Sequence, residues 1–356
     1  MIQSYAPGRA ELLGNHTDYN DGLVLAIAVD RGVTLTGTVR SDDALFIAAP
    51  EMGDAYEGSL AALAPEGEKT WANYLLGVVA QFQKRGLAVG GVDLRIESDL
   101  PPGAGLSSSA ALETSTAFFL AHAFGHDALT LLERAKIGQA AEHQYVGVKC
   151  GLLDQIASIF SKAGQTTVID CRSFEVRNAP LAPGVSFVIA NSGVKHALVA
   201  GEYNERREAC EEAARTLGLK ALRDIDPETL EKRAGELSPS ALKRARHVVG
   251  EIDRVARGTA FLEAGDMAAF GRLMFASHES SIVNFENSCP ELDALVAAAK
   301  RVEGCHGARL SGGGFGGATI NLVAAGREEA LIQALEAAVP GTKCLVTKAA
   351  DGARIL

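Results

Sequence analysis

The pattern of apolar and polar positions predicts a chain that mixes strands and helices throughout. Residues 2–5, 10–13 and 23–29 are short apolar runs broken by polar turns, and residues 34–40 alternate apolar and polar positions as a half-buried strand does. Residues 71–82 have helical spacing. Residues 91–97 read as a strand, followed by an Ala/Leu/Phe-rich helix over 110–124 and a second helix over 129–144. A further helix is expected to start near Gly151. Residues 166–169 and 174–177 read as a hairpin pair. Pro180 and Pro183 then punctuate the chain, and a domain boundary is placed there, dividing it into 1–184 and 185–356. Beyond it, 186–191 is a buried strand, followed by a loop and a long charged helix with Tyr203 just before it. Three helices are expected over 241–257, 267–281 and 291–302. A β-like run, a helix over 328–338 and a strand over 343–348 close a βαβ-type unit.

Composition narrows the class. The 356 residues suffice for two domains. They are 47% hydrophobic and 22% charged, as in a soluble globular protein. The net charge is −10 and no lysine/arginine block stands out, which sets nucleic acid aside as a partner. The opening MIQSYAPGRAELL has no basic stretch ahead of an apolar core, and no apolar run is long enough for a membrane span. The six cysteines are scattered without a C-x-x-C pair, so reduced thiols and a cytoplasmic location are expected.

Three stretches carry candidate chemistry. The first is PPGAGLSSSAALE, residues 101–113, between a strand and a helix. Gly103 and Gly105 let a ligand approach the backbone. The first amides of the helix have no internal acceptor, and the helix dipole adds positive potential there. Ser107, Ser108 and Ser109 either bind phosphate and a divalent cation or merely cap a helix after a turn. No lysine follows the glycines, so this is not a Walker loop. The second stretch is PGRAELLGNHTDYNDG, residues 7–22, read as a loop between strands that recognises a polar ligand, since it carries more hydrogen-bonding groups than a turn needs. The third is LSGGGFGGATINL, residues 310–322, either a glycine-rich hairpin turn or a brace against a ligand or the other domain. Between them, Glu142 and Asp154 frame a Gly147/Gly151 turn. Asp154 stands among Leu152, Leu153, Ile156 and Ile159, an apolar neighbourhood in which a carboxylate needs a partner.

In this order, and with CGLLDQ at 150–155, GEYNERREACEEA at 201–213 and ARHVVGEIDR at 245–254, the motifs resemble the galactokinase branch of the GHMP small-molecule kinases over nearly the whole chain. The resemblance implies an α+β fold of two domains, the N-terminal half S5-domain-2-like and the C-terminal half ferredoxin-like, with the site between them. It implies transfer of phosphate from ATP, with Mg²⁺, to galactose at C1. Arg9 would lie beside the reacting hydroxyl and the transferred phosphate, and Asp154 would be the base. Glu11, Asn15, His16, Asp18, Gly151 and Tyr203 would contact the sugar. Gly103, Ala104, Gly105, Leu106, Ser107, Ser108, Ser109 and Ala110 would hold the ATP phosphates, and Trp71 would flank the adenine. Ser109 and Glu142 would hold Mg²⁺, and residues 312–317 would brace the phosphate loop. The implied partner is a small sugar, with no nucleic acid or membrane, and the implied state is a monomer.

One departure stands out. The usual galactokinase loop has Asn at the position of Glu11 and Glu at the position of Asn15, where the Glu reads a sugar hydroxyl. The exchange here implies that Glu11 and Asn15 share the reading of one hydroxyl and the holding of Arg9 or a neighbouring backbone group. It leaves a kinase for N-acetylgalactosamine or arabinose as an alternative. A non-catalytic galactose sensor is a further alternative, disfavoured by the unbroken 107–111 run and by Asp154.

Overall fold

In the computed structural model the strands sort into two sheets. The structure describes residues 1–148, 150–195 and 199–356, and the Tyr203 side chain lies outside what it describes. The first half runs β1 (Ile2–Leu13), β2 (Leu23–Val39), β3 (Ala44–Ala49), β4 (Asp54–Ser59), α1 (Asn73–Lys84), β5 (Val92–Ser98), α2 (Ser108–Ala123), α3 (Leu131–Ala141), α4 (Leu153–Phe160), β6 (Gln165–Asp170) and β7 (Val176–Pro180). The second runs β8 (Val185–Lys195), α5 (Val199–Thr216), α6 (Pro227–Lys232), α7 (Pro239–Glu263), α8 (Met267–Ser280), α9 (Pro290–Ala299), β9 (Cys305–Ser311), β10 (Gly316–Ala324), α10 (Glu328–Ala338) and β11 (Lys343–Thr347). A last short strand, β12 (Arg354–Ile355), follows.

The first sheet has the order β12-β1-β2-β5-β3-β4, and β6 and β7 join through β2. The length of β2 explains this: its first residues pair with β6 and its last with β5. Among the described residues of this sheet, only β3 and β5 run parallel. The chain leaves this sheet at the turn before β8, and its last strand returns to pair with β1.

The second sheet has the order β11-β8-β10-β9, antiparallel throughout, the ferredoxin-like arrangement. Because β8 lies between β10 and β11, those two are parallel, so the expected βαβ unit exists with a strand inserted. Side chains along β8 alternate between two cores, as strand geometry requires. Phe187 and Ile189 join a core shared with the first half, and Val188 and Ala190 pack under α9 and α10. The apolar run 186–191 is therefore buried on both faces. Helix α2 is likewise buried nearly all round, Glu113 included.

Several boundaries differ from the sequence reading. The apolar runs 2–5 and 10–13 belong to one continuous strand, so the loop expected over 7–22 begins only after residue 13. Bulges between Pro7 and Arg9 and between Glu11 and Leu13 break the alternation that would have marked the strand. Tyr203 lies within α5, not before it. Strands β3, β4, β9 and β12 were not expected; β3 is the apolar run ALFIAA, which the sequence reading missed, whereas β9 carries a fully buried Arg309 among its residues. Helices α3 and α8 each run into a π-turn, at Glu142–Val146 and Ser281–Phe285. Among the described residues, no helix is long and apolar enough to cross a membrane.

Candidate active site

The site forms where β1 passes the glycine loop that opens α2. The Arg9 amide donates to the Leu106 carbonyl at 3.0 Å and its Nη1 to the Gly105 carbonyl at 2.9 Å. Its Nε donates to Asp154 Oδ1 at 2.6 Å, and Ser107 Oγ donates to Asp154 Oδ2 at 2.6 Å. Asp154 therefore has both oxygens engaged, one by the strand and one by the loop, and the partner its apolar neighbourhood demanded is Arg9. Burial pushes the Arg9 guanidinium down, but Asp154, with Glu11 and Asp18, outweighs it and holds the group above its ordinary value.

This ion pair lies in the wall of a cavity of about 820 Å3. Arg9, Glu11, Asn15, His16, Asp18, Gly151 and Asp154 all line it, so seven of the expected sugar-side and catalytic residues meet in one place. Asp18 lies against Gly151: a Cβ there would sit 1.9 Å from Asp18 Oδ2, so any side chain at 151 would displace the Asp18 carboxylate. Burial, with Glu11 and Asp154 nearby, raises the Asp18 carboxyl to about 6.

The departure at 11 and 15 resolves into two separate jobs. Glu11 accepts from Arg309 Nη1 of β9 at 2.7 Å, not from Arg9. Burial raises its carboxyl and Arg309 opposes the rise. The Asn15 side chain donates to the Gly312 carbonyl at 2.9 Å and accepts from Asn287 Nδ2 at 3.1 Å. His16 also differs from the reading of it as a sugar contact through its ring. Nε2 faces the Gly313 carbonyl at 3.1 Å and Nδ1 faces the Tyr19 hydroxyl at 2.9 Å. A carbonyl only accepts, so Nε2 carries the proton and Nδ1 accepts from Tyr19, which fixes a neutral ring. Burial lowers its pKa to about 4. Phe285 stacks between His16 and His247, with ring centroids 4.4 and 4.5 Å away.

The loop at 312–317 thus grips residues 15 and 16. It also approaches the glycine loop that opens α2: a Cβ on Gly105 would lie 3.6 Å from the Ser311 carbonyl. Glu142 opens the π-turn after α3, and the Ser109 side chain acts to lower its carboxyl. Glu142 accepts from Cys150 Sγ at 2.6 Å and from Gln155 Nε2 at 3.3 Å. Gln155 Nε2 also reaches the fully buried Glu113 at 2.9 Å. Burial raises both carboxyls. A serine hydroxyl beside a carboxylate is an oxygen donor set that fits Mg²⁺. Trp71 is not among the cavity residues; its Nε1 donates to Asp54 at 2.9 Å.

Arg309, Glu251, Asn287, Glu113 and Gln155 were not expected at the site. Glu251 on α7 accepts the amides of Gly14 and Asn15 at 2.8 and 3.0 Å and pairs with Arg254. A charged residue inside an apolar run, as at Glu113, was the available signal.

Comparison with known proteins agrees with this geometry. The family model "Galactokinase galactose-binding signature" matches residues 2–38, which include Arg9 to Asp18. "GHMP kinases N terminal domain" matches 73–162 and "GHMP kinases C terminal" matches 259–341. The chain is 41% identical to the galactokinase of Homo sapiens over 360 residues, covering 99% of this chain and 91% of that one. It is 44% identical to the galactokinase of Haemophilus influenzae (strain ATCC 51907 / DSM 11121 / KW20 / Rd) over 326 residues, covering 90% and 85%. The structure of Lactococcus lactis galactokinase complexed with galactose superposes with a TM-score of 0.94 at 29% identity, covering 100% of this chain and 95% of that one. Methanococcus jannaschii mevalonate kinase, at 19% identity and a TM-score of 0.70, shares the fold. The chain belongs to the galactokinase family of the GHMP kinases.

Proposed function

We propose that this chain transfers the γ-phosphoryl group of ATP to the C1 hydroxyl of galactose, giving galactose 1-phosphate and ADP. The observation that carries the reading is the Arg9–Asp154–Ser107 chain, which joins the cavity wall to the glycine loop. Galactose occupies the cavity, with Asp18, Gly151, Glu11, Asn15 and Tyr203 around it and His16 bracing the wall. Asp154 accepts the C1 proton. An anomeric hydroxyl is more acidic than a simple alcohol, so a carboxylate base is adequate. The Ser107 hydroxyl gives way on Oδ2 as the sugar hydroxyl takes its place.

Residues 103–110 hold the phosphates through loop amides and serine hydroxyls, and Trp71 flanks the adenine. Ser109 and Glu142 hold Mg²⁺, which neutralises phosphate charge when bound. Arg9, fixed by Asp154 and the Gly105 carbonyl, supplies positive charge beside the transferred group. Residues 1–184 form the sugar- and ATP-binding domain and 185–356 the C-terminal kinase domain. The protein acts as a monomer in the cytoplasm, a setting that suits its six free cysteines.

The test is a sugar panel with purified protein, ATP and Mg²⁺, scored for ADP release. Galactose should be turned over with the highest kcat/KM and should yield the 1-phosphate. Higher kcat/KM on N-acetylgalactosamine or arabinose would reassign the sugar. Binding without turnover would make the chain a sensor.

A further inference from the structure

The exchange at positions 11 and 15 has a physical consequence in the cavity wall. Every polar atom of Asn15 is occupied by protein. Its amide donates to Glu251 Oε2 at 3.0 Å, and its carbonyl accepts from His247 Nε2 at 3.2 Å. Its side-chain nitrogen donates to Gly312, and its side-chain oxygen accepts from Asn287. Such a residue has been absorbed into the bracing of the loop.

Glu11 is the opposite case. Arg309 binds Oε1, and Oε2 accepts no hydrogen bond among the described residues, although Glu11 lines the cavity. Arg309 is 0% exposed and comes from the second sheet, whereas Glu11 comes from the first. A fully buried guanidinium needs a carboxylate opposite it. The pair opposes the burial that raises the Glu11 carboxyl and occupies one of its two oxygens. A bare structural ion pair is the plainer reading, but it leaves the second oxygen of a cavity-lining carboxylate without a donor among the described residues.

We infer that Glu11 is the specificity-determining residue that accepts a hydrogen bond from one galactose hydroxyl, that Arg309 positions it from the second half of the chain, and that Asn15 reads no hydroxyl. This rests on galactose occupying the cavity. It gives the second half a part in sugar recognition. It also makes the exchange a relocation of the carboxylate within one wall rather than a loss of it.

The test is a cycle between variant and substrate. Wild type, Glu11→Gln, Asn15→Ala and Arg309→Lys are assayed for kcat/KM on galactose and its 2-, 3-, 4- and 6-deoxy analogues, with galactose binding followed by calorimetry. Hydrogen bonds to a charged group correspond to about a 10- to 150-fold effect, so Glu11→Gln should lose about that much on galactose. It should lose little on the one analogue lacking the hydroxyl that Glu11 reads. Arg309→Lys should raise KM for galactose, leave KM for ATP and kcat nearly unchanged, and flatten the same analogue preference. Asn15→Ala should lower Tm and lose the same factor on every sugar.

Equal losses of Glu11→Gln on all five sugars would overturn the inference, as would a hydroxyl-specific loss in Asn15→Ala. If Glu11→Gln fails to fold, Glu11→Gln/Arg309→Met removes both buried charges and carries the same expectation. A wild type that does not phosphorylate galactose would defeat the function itself. A wild type that does so, with the losses just described as equal, would defeat only the assignment to Glu11.

Discussion

The two glycine-rich loops look alike in sequence and present opposite groups. In the first, Gly103, Gly105 and Ser107 adopt positive φ (73°, 67° and 53°), and the chain turns straight into α2. What lies at its end is a helix start, whose first amides have no acceptor within the helix. In the second, Gly312, Gly314, Phe315, Gly316 and Gly317 adopt positive φ, and the chain turns into β10. There the carbonyls of Gly312 and Gly313 accept hydrogen bonds from Asn15, His16 and Asn287. One loop offers donors suited to an anion, while the other gives its acceptors to the protein. Glycine content fixes only the backbone freedom. The element that follows decides which polar groups are left facing outward.

The sharpest break of this comparison is at Asp154, which ties the first loop to β1. Asp154→Asn should lower kcat by about 10²–10⁴-fold while Mg·ATP binding survives. A fall of less than tenfold, with ATP affinity intact, would show that Asp154 is not the base. Next in size are Ser109→Ala and Glu142→Gln. Each removes an oxygen donor from a hard cation, so each should raise the Mg²⁺ concentration needed for half-maximal rate. Titrations that overlay the wild type would remove these two residues from the metal site.

How much of this was readable beforehand follows the same division. The first loop, Asp154 and the 7–22 stretch were legible because each is a short run whose residue types state their chemistry locally. The ferredoxin-like order of the second sheet came from the resemblance, and the buried run at 186–191 was visible as uninterrupted apolar sequence. The apolar run 10–13 was read, but residues 7–9 were assigned to a loop rather than to the same strand because polar residues on a strand that lines a cavity look like a turn. Arg309, Glu113 and Glu251 escaped because a pattern reading assigns charges to the surface, whereas each is buried by contact with residues far away in sequence. The two uses considered for the second loop could not be separated without Asn287, which lies 26 residues from Gly313 and bonds to it.

A matched pair of glycine substitutions sharpens the comparison further. A Cβ on Gly314 would lie 2.1 Å from the Asn287 carbonyl oxygen, at φ +87°, whereas one on Gly105 would meet nothing closer than 3.6 Å, at φ +67°. Both variants incur the positive-φ cost, about 1–3 kcal/mol, but only Gly314→Ala adds a backbone clash. Gly314→Ala should therefore lower Tm by more than Gly105→Ala, while Gly105→Ala should raise KM for ATP by more than its Tm loss explains. The reverse ranking in either measurement would mean that the loops had been assigned the wrong way round.

The smallest effect concerns how the second loop holds its protein partners in acid. His16 and His247 are buried neutral, with pKa values lowered to about 4 and about 3, mainly by burial. The unfolded chain protonates its histidines near pH 6.5. Between that value and the folded pKa the unfolded state binds more protons, so stability is present above 6.5 and is lost as pH falls. Asp18 acts with the opposite sign: its raised carboxyl, at about 6, makes the folded state bind the extra proton between about 4 and 6, which partly offsets the loss. Total acid sensitivity therefore does not isolate the histidines, but a difference between variants does. His247→Gln keeps a side-chain donor near the Asn15 carbonyl and removes one titrating ring. Its stability should fall less steeply between pH 6.5 and 5 than the wild type's, by up to about 1.4 kcal/mol per pH unit. In a chain of this length that is about 2 °C in Tm per pH unit. Parallel Tm curves for the two proteins would show that His247 is not held neutral behind Asn15, and the grip of the second loop would have to rest on the glycine carbonyls alone.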